Sequence, residues 1–118
     1  MSDLLAVFDE LKEEAKKKIE IEQNVDQVIV VRTNSKKIYH FVNHGISIEE
    51  EMQFIGFLRK NNDTIITELL CLWSSKELDV PSWNFRTLLM ELHPNNKKAK
   101  LVLQGKEGYV IKELSMLV

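Results

Sequence analysis

The chain has 118 residues, 44% of them hydrophobic and 29% charged, with sixteen Lys and Arg against eighteen Asp and Glu. A chain of this size and balance forms one globular domain that buries about two-thirds of the surface its unfolded form exposes, so neither disulfides nor a structural metal is needed. The run Leu69-Leu70-Cys71-Leu72-Trp73 is far shorter than the ~20 apolar residues of a membrane helix, and a start with Asp3, Asp9 and Glu10 ahead of the first base does not read as a secretory signal.

Residues 3–20 place Leu4, Phe8, Leu11, Ala15 and Ile19 at intervals of three and four, which predicts an amphipathic helix with Ser2 as its cap. Its acids come early and Lys16, Lys17 and Lys18 late, in keeping with the helix dipole. Val28-Ile29-Val30-Val31 and Ile38-Tyr39-His40-Phe41-Val42, separated by Thr33 to Lys37, predict a hairpin. Ser47 with Glu50 three residues on forms a capping box ahead of Met52, Ile55 and Leu58, so a second helix runs to about Asn61. Residues 64–73 read as a central strand. Ser82 after Pro81 caps a third helix with the stripe Phe85, Leu88, Leu89 and Leu92, stopped by Pro94. Leu101 to Gln104 and Tyr109 to Ile111 flank Gly105-Lys106-Glu107-Gly108, a four-residue hairpin loop. The order is αββαβαββ, and the expected fold is a single α+β domain over residues 1–118, a five-stranded mixed sheet packed with three helices.

Charge alternates along the chain: residues 1–26 and 47–92 each carry −4, residues 27–46 and 93–118 each +3. Basic blocks this modest disfavour nucleic acid as a partner. His40 and His44 sit in a strand and a turn, where their spacing does not bring two imidazoles together, and only His93 and Cys71 remain as further His or Cys ligands. No metal site and no cofactor site is expected. Cys71 lies in the most apolar segment, which predicts a buried and inert thiol. Glu49, Glu50 and Glu51 are accounted for by the helix cap and dipole. Gly105 to Gly108 lacks the Gly-Lys-Ser/Thr ending of a phosphate loop.

The stretch from Trp73 to Arg86 brackets an acidic loop between two tryptophans, and Trp and Arg are enriched at binding hot spots. Glu77 and Asp79 with Trp83 as anchor, then Glu49 and Glu50, and Trp73 and Arg86, are the candidate partner-binding residues. With no catalytic motif, the expected function is a non-catalytic, cytoplasmic protein-binding module whose carboxylates meet a basic protein partner. In kind it is similar to the small acidic immunity proteins that neutralise bacterial nuclease toxins. Two alternatives are an enzyme assembled from His40, His44, Cys71 and Glu68, and a module that pairs with a second copy of itself through sheet edges or the third helix.

Overall fold

The computed structural model describes residues 2–45 and 47–117. Helix α1 (Ser2–Ile21) is followed by strands β1 (Gln27–Thr33) and β2 (Ile38–Asn43), helix α2 (Ile48–Lys60), strand β3 (Ile66–Trp73), a two-residue strand β4 (Leu78–Asp79), helix α3 (Trp83–Leu92), and strands β5 (Lys100–Gly105) and β6 (Gly108–Glu113). Short 3-10 turns at Pro94–Lys98 and Leu114–Met116 complete the chain. The expected α+β domain of three helices on a mixed sheet is what forms, with β4 as an additional strand too short to show a period in the sequence. Ser2 is already helical, and its side chain, expected to cap α1, lies outside the described residues.

The sheet order is β2-β1-β3-β5-β6, with β4 paired to β3. β1 runs antiparallel to both β2 and β3, and β3 is parallel to β5, so β2, β3 and β5 point the same way and α2 and α3 are the crossovers between them. Only Glu68↔Lys100 and Leu69↔Leu101 register β3 with β5, because β4 takes the next positions of β3 at Cys71 and Leu72. At the last hairpin Gly105 and Gly108 pair with each other, so the turn is the two residues Lys106 and Glu107 rather than four. Gly108 there has φ +120°, and a Cβ on Gly105 would meet Val110 Cγ2 at 2.5 Å; both positions therefore require glycine.

Strand alternation sorts the core into two layers. On one face of the sheet α1 buries Phe8, Leu11 and Ala15 against Val28, Val30, Leu70, Leu72 and Val102. On the other, α2 and α3 bury Phe54, Ile55, Leu58, Phe85 and Leu89 against Ile29, Val31, Phe41, Leu69 and Cys71. The buried stripe of α2 is Glu51, Phe54, Ile55 and Leu58. Met52, expected on that stripe, is exposed. Phe41, Phe54 and Phe85 form a stacked trio, with ring centroids 5.3 Å (41–54), 5.7 Å (41–85) and 6.0 Å (54–85) apart.

Candidate active site at the helix starts

The aromatic trio fixes what lies one step nearer the ends of the helices. Glu51 is one helical turn before Phe54, Ser82 one turn before Phe85, and Asn43 two residues beyond Phe41 on the same face of β2. Asn43, Glu51 and Ser82 are therefore each one step beyond a ring of the trio on the same face of their element, at the end of the domain where α2 and α3 begin. Ser82 Oγ donates to Glu51 Oε2 at 2.8 Å and Asn84 Nδ2 donates to Glu51 Oε1 at 2.9 Å. Ser82 also caps α3, its Oγ accepting from Phe85 N at 3.1 Å. Glu51 is 0% exposed and Asn43 1%, whereas Ser82 and Asn84 are half-buried. The carboxylate is enclosed, and the two side chains that bond it are only partly covered.

Asn43 Oδ1 is buried and has no hydrogen-bond partner among the described residues. An acceptor left unpaired in the interior costs about 1–3 kcal/mol, and here it lies at the same end of the domain as a carboxylate, a hydroxyl and an amide. Such a set can accept and donate hydrogen bonds to a small polar molecule and move a proton between Ser82 and Glu51.

The residues singled out from the sequence have other placements. Trp73 Nε1 donates to Asp79 Oδ2 at 2.7 Å, and Val80 N donates to Asp79 Oδ1 at 2.7 Å, so the Asp79 carboxylate holds its own hairpin. Glu77 is exposed and accepts from Ser75 Oγ. Glu49 and Glu50 are exposed on the first turn of α2, where Glu50 N donates to Ser47 Oγ as the capping box predicts. Trp83 is 70% exposed beside Ser82, and Arg86 is half-buried one turn on.

The scattered enzyme site does not assemble. His40 lies on the α1 side of the sheet, its Nε2 3.2 Å from Glu14 Oε1; His44 is exposed in the following turn. Glu68 is bound by Arg32 at 3.0 Å and by Thr67 at 2.6 Å, beside a cleft of about 420 Å³ at the opposite end of β3. Cys71 is fully buried on the α2/α3 side, where burial first and then the Asp79 charge push its thiol far above the usual range. Its burial is what the apolar segment predicts.

No known family profile matches this chain, and no curated protein does. Its backbone is nevertheless similar to that of solved enzymes of one class, the cytidine deaminases. The Mycobacterium leprae cytidine deaminase superposes with a TM-score of 0.70 at 17% identity, covering 94% of this chain and 96% of that one. Those of Burkholderia pseudomallei (TM-score 0.67, 16% identity, 93% and 94% covered) and Mycobacterium tuberculosis (0.65, 12%, 93% and 92%) are comparable. At such identities the likeness establishes the fold. It overturns the expectation of a non-catalytic, immunity-type inhibitor: that expectation rested on the lack of a complete motif, and the scaffold is one that houses enzymes in these relatives.

Zinc deaminases hold their metal with a His or Cys two residues before a Glu and with both cysteines of a Pro-Cys-x-x-Cys turn. The turn into α3, Pro81-Ser82-Trp83-Asn84-Phe85, keeps the proline and the spacing but has Ser82 and Phe85 at the cysteine positions, and the first turn of α2 holds Glu49, Glu50 and Glu51 without His or Cys. Phe85 offers no donor and is packed in the aromatic trio. No group of three or more His, Cys, Asp or Glu among the described residues could hold a metal ion. This donor set does not fit zinc.

Sequence reasoning missed Glu51, Asn43, Ser82 and Asn84 as a unit. Two signals were present: an acid in phase with Phe54, Ile55 and Leu58, and a proline-led turn with the deaminase spacing about thirty residues later.

Proposed function

We propose that this chain is an enzyme of the cytidine deaminase fold that acts on a small aminated nitrogen heterocycle at the end of the domain where α2 and α3 begin. The observation that carries the reading is the buried Glu51 carboxylate bonded by Ser82 and Asn84, with the orphaned carbonyl of Asn43 at the same end of the domain, in a backbone similar to that of deaminases over more than nine-tenths of its length. An amidine-like ring edge presents N–H donors from which Asn43 Oδ1 can accept, and an exocyclic amine that needs a proton to depart as ammonia. Glu51 is the group that carries that proton, and Asn84 holds its carboxylate in register. No helix of the described residues is long and apolar enough to cross a membrane, and a lone reduced thiol suits the cytoplasm, where we place the protein.

The test is ammonia release from cytosine, cytidine, deoxycytidine, adenine and adenosine. Turnover of at least one by the wild-type chain, reduced at least ~100-fold in Glu51→Gln with the circular dichroism unchanged, is the expected result. Ammonia release from none of the five, or equal release by both proteins, rejects the proposal.

A further inference from the structure

We infer that Ser82, at the first cysteine position of the zinc turn, is a nucleophile activated by Glu51; this rests on the proposed function for its substrate class. Three features of the turn carry it. The hydroxyl donates to a buried carboxylate at 2.8 Å, so a proton acceptor is in hydrogen-bond reach. That carboxylate is itself oriented by Asn84 at 2.9 Å, which completes the sequence of nucleophile, base and orienting group common to activated hydroxyls. Oγ also accepts from Phe85 N at the start of a ten-residue helix, so negative charge developing on the oxygen meets a backbone N–H and the positive end of the helix dipole. The unpartnered Oδ1 of Asn43 at the same end of the domain is an independent sign that a ligand belongs there.

The chemistry closes without a metal. Ser82 Oγ adds to the ring carbon bearing the amine, its proton passing to Glu51 while the C=N electron pair moves onto the ring nitrogen. The adduct collapses, the C–N bond breaks, and the amine leaves as ammonia with the proton returned by Glu51, so that the heterocycle remains joined to Oγ. Water then adds at the same carbon with Glu51 again taking a proton. The C–O bond to Ser82 breaks, Oγ regains its proton, and the product carries a carbonyl in place of the amine. Substrate and water are consumed; oxo product and ammonia are released.

Treatment of the whole chain with a fluorophosphonate, followed by peptide mass spectrometry, reads the activation of Ser82 without any knowledge of the substrate. The expected result is phosphonylation of Ser82 ahead of Ser47, Ser74, Ser75 and Ser115, slowed at least tenfold in Glu51→Gln, which leaves the helix cap in place. Absence of the adduct at Ser82, or an equal rate in Glu51→Gln, overturns the inference. Labelling that depends on Glu51 with no ammonia from the five amines keeps the nucleophile and rejects the proposed function. Deamination lost in Glu51→Gln but unchanged in Ser82→Ala does the reverse.

Discussion

Phe85 stands where a zinc turn would carry its second thiolate, and its substitution measures how fully that position has been given over to packing. The side chain is 0% exposed and stacks on both Phe41 and Phe54. Removing a buried phenylalanine to alanine costs about 3–5 kcal/mol, the residual cavity adding to the lost transfer energy, and loss of two ring partners puts Phe85→Ala near about 4 kcal/mol. Unfolding entropy of about 2.1 cal/mol/K per residue gives about 250 cal/mol/K for the chain, so each kcal/mol lowers Tm by about 4 °C and the variant should melt about 16 °C below the wild type. Circular dichroism at 222 nm together with calorimetry provides the measurement. A drop under about 4 °C would show that the trio does not support the helix starts, and the placement of Glu51 one turn from it would lose its foundation.

Asn96 is fully buried and ties three segments together: its Oδ1 accepts from Ile66 N at 2.7 Å while its Nδ2 donates to Thr64 O at 2.9 Å and Leu89 O at 2.8 Å. Asn96→Ala should cost about 3 kcal/mol, seen as a lower urea midpoint with unchanged m, and a shift under about 1 kcal/mol would contradict the buried geometry. Asp63 gives a pH signature. Burial opposes its ionised form, but hydrogen bonds from Tyr39, Ser35 and Thr33 and the charge of Lys37 prevail and hold its carboxyl below the ordinary 3.8. Because the folded value is the lower one, the stabilisation is present above that ordinary value and is lost as pH falls through the folded one. The Tm difference between wild type and Asp63→Asn should therefore be constant from neutral pH to about 5 and shrink below about 4; a difference that does not change on acidification would show that the network does not favour the ionised form.

Much of the architecture is legible in the residues because local signals agree with tertiary ones. Phe8, Leu11 and Ala15 repeat at helical spacing and are the buried face of α1; Pro81, Ser82 and Pro94 bound α3 closely. Strand order is not legible, since it depends on how β4 enters between β3 and β5. The candidate site is obscured for a different reason. Acids in a helix's first turn have a sufficient local explanation in the cap, and only tertiary packing separates Glu51, turned inward, from Glu49 and Glu50, which stay in water. The tryptophans of residues 73–86 are also ambiguous by themselves: one is bonded within its own hairpin, and the other is exposed beside Ser82.

The short registration between β3 and β5 divides the molecule mechanically. One block contains α1 and the three strands it covers; the C-terminal ribbon joins it through two main-chain residue pairs, the apolar contacts of Leu101, Val102 and Leu103, and a bond from Lys12 Nζ to Tyr109 Oη at 3.2 Å. Opening along this seam breaks few main-chain bonds and spares the junction of α2 with α3, so local opening there leaves the Glu51–Ser82 pair assembled.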